Sequence, residues 1–73
     1  MPNKIDATGL QCPLPVLRLA RGCRGLTSGT RIEIKATDPM TNIDIPHWLQ
    51  EQGHRLITQK QSGDTYYFVL EIK

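Results

Sequence analysis

The residue best suited to chemistry in this sequence is Cys12, which stands in the stretch Cys-Pro-Leu-Pro, directly before Pro13 and three positions before Pro15. A residue that precedes proline is disfavoured in the α region, whereas proline itself suits the first turn of a helix. The sequence therefore predicts that Cys12 lies at, or just outside, the N-terminus of a helix. The first regular turn can begin at either proline.

This position is expected to activate the thiol. A helix N-terminus carries unpaired N–H groups and about half a positive charge, and both favour a thiolate over a thiol. Because the two prolines have no N–H, the candidate donors are the N–H groups of Leu14, Val16 and Leu17. We expect a lowered pKa for Cys12 and a nucleophilic sulfur that the prolines hold in a fixed direction.

The chain contains a second cysteine, Cys23, eleven positions after Cys12. Within one helix this spacing separates the two residues by roughly 16 Å along the axis, whereas a disulfide requires Cα atoms within about 7 Å. We therefore expect two free thiols, with Cys23 buried and inert on the apolar side of the helix. The sequence has no Cys-x-x-Cys or His-x-x-x-His spacing, so we expect neither a metal nor a cofactor.

No histidine stands near Cys12 in the sequence. His47 and His54 are isolated, and neither has an evident orienting partner for the Cys-His pair of a hydrolase. A thiolate without a base, a metal or a nearby resolving cysteine is suited to accept a group and hand it on, which favours a carrier. Two alternatives stay open. One is a thiol redox protein, which requires a sulfenic acid and a resolving thiol, and the other is a non-catalytic RNA- or protein-binding module.

Length and composition limit the class of protein. A chain of 73 residues, 38% hydrophobic and 22% charged, suffices for one small core, so we expect residues 1–73 to form a single domain. The N-terminus has neither a basic n-region nor an apolar h-region, and no run is long enough to span a bilayer. We expect a soluble, cytoplasmic protein without a membrane contact. A net charge of +2 is too small to predict nucleic-acid binding.

Hydrophobic periodicity predicts the elements that position Cys12. Alternating residues indicate strands at 4–7, 31–35, 54–60 and 65–72. Apolar residues at helical spacing indicate one helix over 13–24 and a second between Asp38, the expected N-cap, and Gly53. The order β-α-β-α-β-β predicts an α+β fold. In this two-layer α/β sandwich, a mixed four-stranded sheet carries both helices on one face.

Each predicted helix has an apolar side. In the first helix that side consists of Val16, Leu17, Leu19, Ala20 and Cys23, and in the second it consists of Ile43, Ile45, Trp48 and Leu49. Pro46 interrupts the second pattern, because a proline inside a helix removes a hydrogen bond. We expect a kink or a restart there, with Asp44 capping the second part. Trp48 and Met40 fit either the core or the rim of a contact patch.

Four charged residues are secondary site candidates. Arg18, Arg21 and Arg24 recur every three residues, so they form a basic stripe that drifts round the first helix away from Cys12. A solvated face is the simpler interpretation of this stripe, and docking of acidic partner surfaces is the alternative. Asp38 comes close to Cys12 if both helices, which follow strands, start at the same edge of the sheet. Its charge would then raise the pKa of the thiol.

Three motifs along the chain resemble those of the TusA-like, or SirA-like, sulfur carriers. The family is marked by a Cys-Pro-x-Pro motif after a lead-in that ends in Gly-Leu, then by an Asp-Pro and an Asp-Ile-Pro. The matching residues, in order, are Cys12, Pro13 and Pro15, then Asp38 and Pro39, then Asp44, Ile45 and Pro46. The resemblance covers nearly the whole chain without an evident insertion.

The resemblance implies a sulfurtransferase-type carrier that forms a cysteine persulfide. Cys12 would accept sulfane sulfur from a cysteine desulfurase or a rhodanese, supported by the helix N-terminus that consists of Pro13, Leu14, Pro15 and Val16. The sulfur would pass to an acceptor protein, in 2-thiouridine formation in tRNA, in sulfur oxidation or in molybdenum-cofactor supply. No direct nucleic-acid binding is implied. A carrier that meets several partners in turn is expected to be a monomer.

Overall fold

The computed structural model describes residues 3–73, which form four strands and two helices. In chain order these elements are β1 (Asn3–Ala7), α1 (Leu14–Cys23), β2 (Arg31–Ala36), α2 (Thr41–Gln52), β3 (Arg55–Ser62) and β4 (Thr65–Glu71). The strands form one sheet in the order β1-β2-β4-β3. β1 and β2 are parallel, whereas β2–β4 and β3–β4 are antiparallel. The predicted α+β fold, its element order and its mixed sheet are therefore confirmed.

The core lies between the two helices and one face of the sheet. Alternate residues of the two central strands point to this face, because side chains alternate along a strand. The buried cluster takes Ile32, Ile34, Phe68 and Leu70 from these strands and Leu19, Ile45 and Leu49 from the helices. Both helices therefore cover the same sheet face, and burial of this apolar surface, at roughly 25 cal/mol per Å², is the main stabilising term.

The apolar sides of the helices are narrower than the sequence predicts. Leu17 of α1 and Ile43 of α2 are 56% and 64% exposed, so the prediction that they face the core is wrong. The buried residues of each helix form a single row at a spacing of four, and they are Pro15 and Leu19 in α1 and Thr41, Ile45 and Leu49 in α2. A residue two positions from such a row lies to the side of the helix.

The structure places Trp48 and Met40 in different environments. Trp48 is half-buried and packs against the core, with its ring centroid 5.6 Å from that of His54. Met40 precedes α2 and is 48% exposed. Trp48 therefore supports the core, and Met40 belongs to the surface.

The second helix runs through Pro46 as one segment. Proline lacks the N–H group that would bond to the carbonyl of Asn42, four residues earlier. Gln59 of β3 bonds there instead, since its Nε2 donates to the carbonyl oxygen of Asn42 at 3.4 Å and to Oδ1 of that residue at 2.7 Å. Of the expected kink or restart, the restart with Asp44 as its cap is wrong, because α2 is one helix from Thr41 to Gln52. Neither helix of residues 3–73 is long and apolar enough to cross a membrane.

Candidate functional site

Cys12 lies in the loop between β1 and α1, directly before Pro13, which is the N-cap residue of α1. The helix begins at Leu14, so the first turn starts after the first of the two prolines. Cys12 is therefore outside the helix, and its side chain is exposed. The peptide bond between Cys12 and Pro13 is cis. The two prolines leave the sulfur at the surface, beside the start of α1.

Asp38, in the loop between β2 and α2, holds the backbone of Cys12. Its Oδ2 accepts a hydrogen bond from the N–H of Cys12 at 2.6 Å, and its Oδ1 accepts one from the N–H of Met40 at 3.0 Å. Bonds from Cys12 and Met40 stabilise the charged form, so they lower the pKa of Asp38 below its ordinary value of 3.8. The structure thus brings Asp38 next to Cys12, in contact with its backbone.

At the start of α2, Asp38 bonds to Thr41 through its backbone carbonyl, so Oδ2 of its carboxylate is available to Cys12. The prediction that Asp38 is the N-cap of this helix is wrong, because the helix begins at Thr41 and its N-cap residue is Met40, which makes no side-chain cap. The N–H and the hydroxyl of Thr41 donate to the carbonyl oxygen of Asp38 at 3.0 and 2.6 Å. The backbone carbonyl of Asp38 therefore bonds to the first residue of α2, while its side chain bonds to the loop that carries Cys12.

The loops that follow β1 and β2 meet beside the sheet edge at which these parallel strands end. A hydrogen bond from the N–H of Gly9 to Oγ1 of Thr37, 2.9 Å long, joins them in addition to the Asp38 contact. Together the loops form a shallow hollow that Cys12 lines with Gln11 and Pro39. Cys12 is therefore accessible, although hydrogen bonds join the two loops that form the hollow.

The sulfur of Cys12 contacts a side chain of α2. Its Sγ donates a hydrogen bond to Oδ2 of Asp44 at 2.8 Å. This bond raises the pKa of the Cys12 thiol above its ordinary value of 9.0, and desolvation and the negative charges of Asp44 and Asp38 act in the same direction. Sequence reasoning gave Asp44 only a capping role. The one available signal was its place in the Asp-Ile-Pro motif.

The expectation that the start of α1 lowers the pKa of Cys12 is therefore wrong. The N–H groups of Leu14 and Leu17 donate to the carbonyl oxygens of Gln11 and Pro13, at 2.8 and 3.1 Å. These donors are occupied by the backbone, and the thiol proton faces a carboxylate instead. These contacts favour the protonated thiol of Cys12.

The three arginines line two different hollows. Arg18 and Arg21 line a groove between α1 and β1, where Nη1 of Arg18 donates to the carbonyl oxygen of Asp6 at 3.1 Å. Arg24 follows α1 and lines a separate hollow that also includes Cys23. All three are exposed, as the interpretation of a solvated face requires.

Cys23 and the two histidines lie apart from Cys12. Cys23 ends α1, ten residues long, and burial raises the pKa of its half-buried thiol. Both cysteines are free. His54 is half-buried, with Nδ1 accepting a hydrogen bond from the N–H of Lys73 at 3.2 Å, and His47 is exposed. Within residues 3–73, no three His, Cys, Asp or Glu side chains are grouped as ligands for a metal.

Exposed apolar side chains occur at the starts of both helices. Leu14 and Leu17 of α1 are 50% and 56% exposed, and Met40 and Ile43 at the start of α2 are 48% and 64% exposed. Leu14 and Leu17 line the groove between α1 and β1. Single exposed apolar residues are ordinary, but these four lie within five positions of Cys12, Asp38 or Asp44 in the sequence. We call them the apolar rim.

Comparison with known proteins agrees with the motifs. A family model described as "Sulfurtransferase TusA" matches residues 3–72. Two curated relatives, from Pseudomonas putida strain W619 and Pseudomonas aeruginosa strain LESB58, are each named "Sulfur carrier protein TusA". Each is 41% identical to this chain over 69 residues, which are 94% of this chain and 86% and 87% of the relatives.

A solved structure agrees with the fold. The crystal structure of a SirA-like protein from Desulfitobacterium hafniense superimposes with a TM-score of 0.82 at 18% identity, covering 97% of this chain and 96% of that chain. At this identity the likeness concerns the fold alone, whereas the family model and the curated relatives concern the sequence itself. The resemblance seen in the motifs is confirmed, and the chain belongs to the TusA sulfurtransferase family.

Proposed function

We propose that this protein is a sulfur carrier that holds sulfane sulfur on Cys12 as a persulfide. One observation carries the proposal: in a chain of the TusA family, an exposed thiol lies where two loops meet, and Asp38 holds the backbone beneath it. A carrier needs a sulfur that partners can reach in a constant orientation. The curated relatives, which are named sulfur carrier proteins, support this role.

Loading would exchange one sulfur–sulfur bond for another. The sulfur of Cys12 attacks the terminal sulfur of a cysteine persulfide on the donor, and a bond forms between these two atoms. The donor's own sulfur–sulfur bond breaks, its electron pair stays on the donor's cysteine, and that cysteine takes up the proton which Cys12 loses. Delivery is the same exchange, with a thiolate of the acceptor attacking the terminal sulfur on Cys12. Each step moves one sulfur atom without net oxidation.

Donor and acceptor must reach Cys12 in turn. We propose a cysteine desulfurase or a rhodanese as the donor and a protein with a reactive cysteine as the acceptor, both of which contact the apolar rim. The final use of the sulfur is 2-thiouridine formation, sulfur oxidation or molybdenum-cofactor supply. We place the carrier in the cytoplasm and treat it as a monomer, since a permanent partner at the rim would block exchange.

A thiol redox enzyme is less well supported. Such an enzyme requires a reactive thiolate and a resolving thiol. Cys23 is half-buried at the far end of α1, a helix of ten residues that spans about 15 Å at ~1.5 Å per residue. A net charge of +2 likewise gives no support to RNA binding.

Mass spectrometry of the intact protein tests the carrier role. After incubation with a cysteine desulfurase and cysteine, or with a rhodanese and thiosulfate, we expect one added sulfur atom that dithiothreitol removes. The Cys23→Ser variant should gain the same sulfur, and the Cys12→Ser variant should gain none. Loading of Cys12→Ser to the wild-type level, or no added sulfur on the wild type with either donor, would overturn the proposal.

A further inference from the structure

Two carboxylates face Cys12, and they make different contacts. Both oxygens of Asp38 are occupied, one by the N–H of Cys12 and the other by the N–H of Met40. Asp44 contacts the sulfur itself, at 2.8 Å, although it lies 32 residues further along the chain. It is half-buried in a helix, whereas Cys12 lies in an exposed loop. Asp44 is therefore the carboxylate that is placed to respond to the chemical state of the sulfur.

The contact with Asp44 is favourable only while Cys12 is a thiol. Once sulfane sulfur is attached, Sγ of Cys12 has no proton to donate. The terminal S–H of a persulfide is more acidic than a thiol, so a loaded carrier is an anion at neutral pH. The carboxylate that accepts a hydrogen bond from the empty carrier then faces a negative charge, and attraction is replaced by repulsion.

We infer that Asp44 biases Cys12 towards giving up sulfur, because it stabilises the thiol of empty Cys12 through a hydrogen bond and destabilises the persulfide anion through charge repulsion. The loaded carrier is thereby made a ready sulfur donor. The inference rests on the proposed function, since it concerns the persulfide of Cys12. In this role Asp44 forms no covalent bond to sulfur and acts through a hydrogen bond to the thiol and through its charge.

The charged groups around Cys12 strengthen this bias. The two charged side chains of residues 3–73 that affect the Cys12 thiol are Asp44 and Asp38, and both favour its neutral form. Asp38 stays ionised because its two backbone bonds favour the charged form. On α1, the helix that follows Cys12, the guanidinium of Arg18 bonds to the carbonyl oxygen of Asp6 and not to Cys12. A persulfide at Cys12 therefore faces negative charge.

An exchange equilibrium with glutathione persulfide measures the bias directly. The thiol of Cys12 and the glutathione persulfide anion give the Cys12 persulfide anion and glutathione. One sulfur atom passes from glutathione to Cys12, and one proton passes from Cys12 to glutathione. Working in the Cys23→Ser background makes Cys12 the one thiol of the protein. The loaded fraction, read by intact mass spectrometry at neutral pH over a range of glutathione ratios, yields the loading constant.

Asp44→Asn keeps the shape of the side chain and removes its charge. We expect the loading constant to rise by roughly three- to tenfold, the size of effect that one charge has on an exposed anion nearby. Asp64→Asn, the same chemical change in the exposed turn between β3 and β4, should leave the constant unchanged. Asp44→Glu retains the charge and should stay close to the wild type. Added salt should shrink the difference between the wild type and Asp44→Asn, because it screens the repulsion.

The outcomes separate the inference from the proposed function. If the wild type and Asp44→Asn both form the persulfide with equal loading constants, or if their difference is unchanged by salt, the inference is overturned and the carrier role stands. If neither forms a persulfide, the carrier role itself is overturned. Should Asp44→Asn fail to fold by circular dichroism, Asp44→Ser, which also removes the charge, takes its place. The same rise in the loading constant is then expected, and a constant equal to that of the wild type overturns the inference.

Discussion

The carboxylate of Asp38 accepts a hydrogen bond from the backbone N–H of Cys12, with 2.6 Å between Oδ2 and the nitrogen. The two residues are 26 positions apart and lie in different loops, so this bond ties the loop after β1 to the loop after β2. A carboxylate that accepts from N–H groups makes stronger hydrogen bonds than a neutral acceptor. The position of the Cys12 sulfur therefore depends on the ionisation of Asp38.

This dependence predicts a loss of stability in acid. The pKa of Asp38 lies below its ordinary value of 3.8 in the folded protein, because of the bonds from Cys12 and Met40. Its contribution is complete above the unfolded pKa and is lost as the pH falls through the folded pKa. We expect the urea midpoint to fall as the pH drops below about 5, and to fall less in Asp38→Asn.

Asp64→Asn, away from the site, is the matched control and should show the wild-type slope. Part of the slope should remain in Asp38→Asn, since bonds from the side chain and backbone of Thr8 also lower the pKa of Asp6. Identical slopes for the wild type and Asp38→Asn would contradict the role of Asp38.

The two cysteines should differ in access to reagents. The pKa of each thiol is raised, that of Cys12 by the hydrogen bond to Asp44 and that of Cys23 by burial. Limiting iodoacetamide should modify Cys12 first, because it is exposed and Cys23 is half-buried. In Cys23→Ser the alkylation rate should reach half its maximum above pH 9.0, the ordinary pKa of the thiol. A half-maximum below that pH would contradict the Asp44 contact, and Asp44→Asn should shift the profile downwards.

Two leucines of α1 test which side of the helix is buried. Leu19 is fully buried, whereas Leu17 is 56% exposed. Leu19→Ala should cost about 2–5 kcal/mol of the free energy of unfolding, since it leaves a cavity in the core. Leu17→Ala should change that free energy by no more than about 0.5 kcal/mol. Urea denaturation of both variants measures the difference, and equal losses would mean that the helix faces the sheet differently.

The end of α2 depends on a glycine. Gly53 has a φ of +79°, in the left-handed region, and the N–H of His54 donates to the carbonyl oxygen of Leu49 at 2.9 Å. Many α-helices end in this way, with a glycine in the left-handed conformation. A side chain is strained in this conformation, so Gly53→Ala should lower the free energy of unfolding by about 1 kcal/mol or more. Gly53→Asn should lower it less, because asparagine tolerates the left-handed region. Thermal denaturation measures the difference, and an alanine variant as stable as the wild type would contradict the prediction.

The sequence alone was sufficient for the elements and their order. The alternation of Ile32 and Ile34 marks β2, and Pro13 beside Cys12 marks the start of α1, because side-chain periodicity and the restrictions of proline act over a few neighbouring residues. Helix faces were predicted less well. Leu17 and Ile43 are as apolar as their buried neighbours, and only the packing of each helix on the sheet decides which row is covered.

Within the candidate site, the sequence by itself placed Cys12 just before a helix, since the prolines determine that position locally. The tertiary structure decided the chemistry of that thiol. Asp44 contacts Sγ from 32 residues away, and this contact reverses the expected direction of the Cys12 pKa. The reason is physical: a helix start acts through its own backbone, but the charge that a side chain meets depends on sheet order and on the loops that join distant segments.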